Sequence, residues 1–303
     1  MKEEPSKVDL RLIEAQAGMR AEVWGDNPKL IYNHSVMTQV SMPFRNPGGD
    51  RAEYTRKCGR VTLEMEAGWI PGPDGQKVWV GLPYGPRARL VLLHLCTLAV
   101  LQQSRVVELE DGSFTSFAKS LGLATGGRDL ASLAEQVRRM SVVNISLHAK
   151  TDPELDDFEL HNVKIFKSLK ATWTKGENQR LLWPSVVVFD HDFHQSLKTM
   201  AVPLRWDAVG ALKHSARALD VYCWLAHRLW RTKRNNRITY KALMYQFGDP
   251  EGNQRSFQRA FDKALSQALL VYPEARVESV SGGIVVKPSE PAVPREKRKL
   301  FGL

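Results

Sequence analysis

Cysteine is scarce in this 303-residue chain. Its three cysteines, Cys58, Cys96 and Cys223, are far apart, which excludes a disulfide framework and the closely paired thiols of a structural zinc site and suits a reducing cytoplasm. Long apolar runs are missing too. The longest, Leu90 to Leu101, is interrupted by His94 and is too short to span a bilayer. Residues 1–11 mix Lys2, Glu3, Glu4, Lys7 and Asp9 and lack the apolar core of a signal peptide. Neither secretion nor membrane insertion is expected.

Catalytic signatures are equally absent. There is no Gly-x4-Gly-Lys-Ser/Thr phosphate loop and no clustered acidic pair of the kind a polymerase, primase or nuclease needs for its metals. His191 and His194 stand close in His-Asp-Phe-His, but the His-apolar-His of rolling-circle nickases is missing, and they read as a satisfied surface pair. Asp152, Glu154, Asp156 and Asp157 read as a solvated loop. The expectation is a protein that is not an enzyme and uses no metal or cofactor.

Cations, by contrast, are abundant: 43 Lys and Arg face 33 Asp and Glu, a formal net charge of +10. A polyanionic partner is favoured, because basic side chains release counterions when they neutralise phosphates. The hydrophobic fraction of 43% is enough for real cores, and the length suggests two domains at roughly 150 residues each. Residues 1–55, with Pro28, Pro43, Pro47, Gly48 and Gly49, read as an irregular arm. Val61, Leu63 and Met65 alternate with polar residues, and Val78 to Val80 reads as a second strand across a turn at Gly68 to Gly75, giving a hairpin.

The most informative pattern is an internal duplication. Ser113 is a good helix N-cap, followed by Phe114, Phe117, Ala118 and Leu121 on one face and closed by Gly122. An offset of 126 gives Thr239, Tyr240, Leu243, Met244, Phe247 and Gly248, each of the same class. With one more residue in the loop the next helix repeats: Leu130, Leu133, Ala134, Val137 and Ser141 match Phe257, Ala260, Phe261, Ala264 and Ala268. Long apolar helices, 87–103 and 215–231, precede the copies, and β-rich stretches, Val142 to His148 and Val277 to Val286, follow them. Helix, strand, helix, turn, helix, hairpin is the order of a winged helix. The expected fold class is therefore α+β, with tandem winged-helix domains at 56–200 and 201–290 and a basic tail at 291–303. Val186 to Phe189 reads as a strand, Asp192 to Thr199 as a helix and Pro203 to Leu212 as a linker. Trp206, Trp224 and Trp230 read as core.

In such a fold the second helix of each copy enters the major groove, and its outward residues meet base edges. In the first copy that face is Arg128, Ser132, Gln136 and Arg139. The second copy presents Arg255, Arg259 and Lys263, with Asn253, Gln254, Ser256 and Gln258 around the helix start. Arg suits guanine and Asn or Gln suits adenine. An amphipathic helix also covers its solvent face with polar residues, and that reading weighs more on the first copy than on the acid-free stripe of the second. Lys164 and Lys167, with Lys170, Lys175 and Arg180 nearby, are phosphate-binding candidates, and Ser281 marks the second wing tip. Arg231, Lys233, Arg234 and Arg237 fit either a phosphate patch or a helix C-terminus. Arg295, Lys297, Arg298 and Lys299 fit a basic extension.

Six separated segments resemble plasmid-encoded RepA replication initiators: Gly-Leu-Pro-Tyr-Gly at 81–85, Arg-Leu-Val-Leu-Leu-His-Leu-Cys-Thr at 89–97, Thr-Gly-Gly-Arg at 125–128, Ala-Leu-Lys-His-Ser at 211–215, Tyr-Gln-Phe-Gly at 245–248 and Val-Tyr-Pro-Glu-Ala at 271–275. The resemblance spans about residues 30–290. It implies sequence-specific binding of double-stranded DNA at origin repeats, origin opening, recruitment of the host replicative helicase alongside the host initiator, self-repression through a homodimer, and a bacterial cytoplasmic location. It also implies that the first domain serves dimerisation. A winged-helix transcriptional repressor without initiator activity is the alternative.

Overall fold

A computed structural model describes residues 8, 10–14, 29–48, 51–72, 75–109, 113–149, 160–175, 180–249 and 252–294. The chain folds as two compact units, Gln39–Ala201 in one and Met1–Thr38 with Val202–Leu303 in the other. The architecture is mixed α+β with several small antiparallel sheets. Strand β1, Leu30–His34, lies in the stretch expected to be an irregular arm, yet all five of its residues are buried. Leu30, Ile31 and Tyr32 supply enough apolar surface to bring it into the C-terminal unit.

In the unit Gln39–Ala201, β2 (Glu53–Cys58) and β3 (Val61–Glu66) form a hairpin turned at Gly59 and Arg60. Val61, Leu63 and Met65 are buried while Glu64 and Glu66 are exposed, as the alternation predicts. The pairing differs from the sequence reading, because β4 (Trp69–Pro71) and β5 (Lys77–Trp79) close a hairpin of their own. Strand β3 thus pairs with the strand before it, and Trp69–Pro71 with the strand after it.

Helix α1, Gly85–Leu101, is apolar on most sides and correspondingly buried. Its Arg89 is 4% exposed and donates to the carbonyls of Met42, Pro43 and Gly85 while lying over the Phe44 ring. Carbonyl dipoles thus take the place of water around the charge. Strand β6 is Val106–Glu108, α2 is Phe114–Ser120 and α3 is Gly127–Met140. Ser113 caps α2 by accepting from the Ser116 N–H, and Phe114, Phe117 and Ala118 face inward.

Four strands follow: β7 (Asn144–Ala149), β8 (Leu160–Lys164), β9 (Phe166–Lys175) and β10 (Arg180–Phe189). Strands β9 and β10 pair, and β10 also pairs with β6, giving the order β6-β10-β9. The hairpin matching the second copy is therefore β9–β10. The stretch Val142 to His148, expected there, forms β7, which joins β8 in a separate sheet of order β2-β3-β7-β8. Periodicity identifies a strand but not its partner, and β3 lies some 80 residues upstream. Helix α4, His191–Met200, closes the unit, with Phe193 stacked on Phe189 at 5.7 Å.

The C-terminal unit continues with β11 (Ala201–Arg205), which pairs with β1, and α5 (Trp206–Leu212). The expected linker is thus regular structure, because Val202, Leu204, Val209 and Leu212 are core residues. Next come α6 (Ala216–Leu229), β12 (Asn236–Thr239), α7 (Tyr240–Phe247), α8 (Gln254–Leu270), β13 (Val277–Val280) and β14 (Gly283–Val286). The sheet order is β12-β14-β13, the same arrangement as β6-β10-β9. Trp224, Phe247, Phe261 and Phe257 form a chain of ring contacts at 5.5, 5.6 and 5.7 Å, each buried ring contributing about 1.5–3 kcal/mol. Trp230 departs from the expected core at 39% exposed, since α6 has ended at Leu229.

The two closing glycines serve different needs. Gly122 sits at φ +67°, a left-handed conformation that a side chain disfavours. At Gly248 the constraint is space, since an added Cβ would stand 2.6 Å from a Phe257 ring carbon. In both copies glycine lets the two helices come together at the turn. No helix among the described residues is long and apolar enough to cross a membrane.

Candidate nucleic-acid interface

In the second copy, Thr239 caps α7 by accepting from the Ala242 N–H, and Asn253 caps α8 by accepting from the Ser256 N–H. The Tyr240 hydroxyl donates to Asp262 Oδ1 at 2.8 Å, tying α7 to the middle of α8. Burial, with the Asp262 hydrogen bond next, pushes that phenol up to about 12. Phe257, Phe261, Ala264, Leu265 and Ala268 fix the inner face of α8, so the opposite face is set without freedom to rotate.

That opposite face carries Asn253, Gln254, Arg255, Ser256, Arg259 and Lys263, all exposed, with Gln258 half-buried. Arg255, Arg259 and Lys263 are spaced one helical turn apart, and among the described residues none pairs with a carboxylate. The fixed hairpin β13–β14 turns through Ser281 and Gly282, both exposed. Arg237, on β12, donates through Nη2 to the Ser281 carbonyl at 2.6 Å. The basic run after α6 fits a phosphate patch or a helix terminus by sequence, whereas in the fold one of its members, Arg237, anchors the hairpin tip. The signal for it was Arg237's place in a strand that must pair with β14. Lys233 and Arg234 are exposed in the loop before β12.

The first copy is arranged otherwise. Arg128 is exposed and Ser132 half-buried, but Gln136 is 3% and Arg139 9% exposed, so these two do not lie on an outward face. The Gln136 Oε1 accepts from the Tyr84 N–H at 2.8 Å. Arg139 donates to the Leu82 carbonyl at 2.9 Å and to Glu135 at 2.7 Å, with its guanidinium 5.1 Å from the Tyr84 ring centre. The segment Gly81–Gly85 thus covers the side of α3 that helical geometry alone leaves open. Asp129 pairs with Arg87, and Glu135 also takes Arg138. The cations of α3 are largely neutralised within the unit, leaving Arg128.

Lys164 and Lys167 are both exposed and line an open cleft of about 640 Å³ with Arg105 and His191. Strand alternation would place them on opposite faces, but the break at Ile165 between β8 and β9 brings them to one cleft. The side chains of Lys170, Lys175 and Arg180, the acidic loop at 152–157 and the basic tail at 295–299 lie outside the described residues. His191 and His194 are not a surface pair: His191 is exposed, whereas His194 is 5% exposed and its Nε2 has no hydrogen-bond partner. Burial, reinforced by Lys198, His191 and Arg105, holds its pKa below the usual value. No group of three potential metal-ligating His, Cys, Asp or Glu side chains occurs among the described residues.

A family model described as plasmid encoded RepA protein matches residues 82–245, more than half of the chain. Among solved structures, the crystal structure of selenomethionine derivatives of domain 2 and domain 3 of RctB is similar, with a TM-score of 0.54, 12% identity, and coverage of 85% of this chain and 96% of that one. A second crystal structure of RctB domains 2-3 gives a TM-score of 0.50 at 13% identity, covering 84% and 96% respectively. At such identities the likeness is one of fold. No curated protein matches the chain.

Proposed function

Because the chain belongs to the plasmid-encoded RepA family, we propose that it is a plasmid replication initiator that binds repeated origin DNA sequence-specifically through two winged-helix modules. The observation that carries this reading is the α8 face: three exposed cations at helical spacing, uncompensated among the described residues, beside a hairpin tip held by Arg237. In this reading α8 enters the major groove, where Arg255 and Arg259 read guanine edges and Gln254 or Gln258 reads adenine. Lys263 and Ser281 contact phosphates. Asn253 sets the first turn of α8 and presents its remaining polarity to the backbone.

The first module contributes Arg128, Ser132, Lys164 and Lys167 as backbone contacts and a surface for a homodimer. Linking two weak modules raises the effective concentration of the second, which suits repeated sites. Origin opening, recruitment of the host helicase and host initiator, and repression of the protein's own gene complete the proposal. The test is a titration of the full chain against the repeat-containing DNA upstream of its gene and against random duplex, at several salt concentrations. Specific binding at least ~10³-fold tighter than random at matched salt is expected. Equal affinity for both duplexes removes the initiator assignment.

A further inference from the structure

Strand β2 stands at the edge of the sheet β2-β3-β7-β8 in the unit Gln39–Ala201. On one side it pairs with β3 along its whole length, from Glu53 opposite Glu66 to Cys58 opposite Val61. On the other side no strand pairs with it among the described residues. Such an edge offers a row of backbone N–H and C=O groups to another chain. Glu53, Thr55 and Lys57 are exposed on one face of the strand, and Tyr54, Arg56 and Cys58 are half-buried on the other. The Tyr54 hydroxyl donates to the Ser41 carbonyl at 2.9 Å and accepts from Arg56 Nε at 2.9 Å, with the guanidinium 5.4 Å from the ring centre, so these two side chains are held together along the strand.

A second copy brought to this edge by a two-fold axis pairs β2 with itself, antiparallel. Symmetry then restricts the register. Alternate residues of an edge strand turn their backbone groups outward, and a residue that bonds across the edge must face one that does the same. The axis therefore passes through a residue. Centred on Tyr54, the pairing sets Lys57 against Arg51. Centred on Arg56, it brings two guanidinium groups together. Centred on Thr55, it sets Glu53 against Lys57 twice, Tyr54 against Arg56 twice, and Thr55 against itself. Opposite charges, a cation on an aromatic ring and paired threonines are the cross-strand neighbours that stabilise a ladder. The isolated unit leaves this pattern unanswered. Glu53 lies opposite another carboxylate, Glu66, like charges facing one another destabilise, and neither Glu53 nor Lys57 forms an ion pair among the described residues.

We propose that the edge of β2 is the surface on which a second copy of the chain docks, β2 to β2 about a two-fold axis through Thr55. Two four-stranded sheets then become one continuous antiparallel sheet, and each Glu53 meets Lys57 of the partner subunit. The pairing rests on the homodimer of the proposed function and names its surface, and it is independent of the DNA-reading role of α8.

The experiment is sedimentation of the full chain, without DNA, over a concentration series, for the wild type, Glu53→Lys, Lys57→Glu and the double variant Glu53→Lys/Lys57→Glu. A reversible monomer–dimer equilibrium is expected for the wild type. Each single variant faces like charges twice across the axis and should weaken the dimer about tenfold or more, with the far-ultraviolet circular dichroism unchanged, since both side chains are exposed. The double variant exchanges the charges and should recover the dimer to within about threefold of wild type. Singles that dimerise like the wild type overturn the proposal and leave a homodimer joined elsewhere. A double variant no better than the singles overturns it as well. A wild type that stays monomeric throughout overturns both the surface and the homodimer, and if that monomer still binds repeat DNA specifically, the DNA-reading role stands without them. A dimer that follows the charge exchange in a protein without specific DNA binding supports the surface and removes only the DNA-reading role.

Discussion

Helices α3 and α8 occupy the same place in two copies of one arrangement, after matching capped helices and inside sheets of the same strand order, but their polar faces have opposite fates. On α3, Gln136 and Arg139 turn inward to hold the Leu82–Tyr84 backbone, and Asp129 and Glu135 engage Arg87, Arg138 and Arg139. On α8, Arg255, Arg259 and Lys263 face solvent without carboxylate partners among the described residues. A polar face therefore does not announce its own use. What decides is whether another segment covers it, and the copies differ in that 81–85 lies on α3 while no described segment covers the α8 stripe.

The sharpest way to break this contrast is to remove the α8 cations. Arg255→Ala with Arg259→Ala should weaken binding to the cognate repeat by about a hundredfold or more, each base contact carrying ~1–3 kcal/mol, with unchanged thermal stability. Fluorescence anisotropy and a melting curve check both halves. The mirror experiment falls on α3. Arg139→Ala strands the buried Leu82 carbonyl and leaves Glu135 with one partner, and should destabilise the unit Gln39–Ala201 by about 2–3 kcal/mol in urea titration, with DNA affinity of the folded fraction unchanged.

Acid should destabilise the C-terminal unit. In the C-terminal unit, burial pushes His34 down to about 3, with the His227 charge as the lesser cause, and His227 down to about 4, with the Arg231 and Arg228 charges as the lesser causes. Both are neutral in the fold, where the Thr38 hydroxyl lies 3.0 Å from His227 Nδ1 and the Val36 N–H donates to His34 Nδ1. Their folded pKa values lie below the unfolded value near 6.5, so the unfolded chain binds more protons at low pH. Stability is full above about pH 6.5 and falls as the pH drops towards 4, by on the order of 2 kcal/mol per histidine at pH 5. Denaturant midpoints at pH 7.5 and 5 check the sign, and a His227→Gln variant should show a smaller decline. The smallest effect is expected at the cleft of the first copy. Lys164→Gln and Lys167→Gln should each reduce the slope of log affinity against log salt by about one, equally for cognate and random DNA.

Local chemistry made much of this legible in the sequence. The hydroxyl caps Ser113 and Thr239, the apolar quartets after them and the closing Gly122 and Gly248 are all fixed within one or two helical turns, and the folded chain keeps them. The α8 stripe was legible for the same reason: its inner face is aromatic, so its outer face follows. Long-range pairing was not. Strand β3 takes β7 as partner, β1 takes β11, and the pair β7–β8 is inserted ahead of the hairpin β9–β10, all joining residues whose separation leaves no trace in a period-2 pattern. Burial of Gln136 and Arg139 belongs to the same class, since a helical wheel cannot show that residues 81–85 will lie across it.

The most direct test of the divided roles is the ratio of cognate to random affinity for two variants side by side, Arg255→Ala/Arg259→Ala on α8 and Arg128→Ala/Ser132→Ala on α3, at one salt concentration. The account predicts that the ratio collapses in the α8 variant and stays within about threefold of wild type in the α3 variant, whose residues are proposed to contact only the DNA backbone. An equal collapse in both, or a collapse in α3 alone, contradicts it.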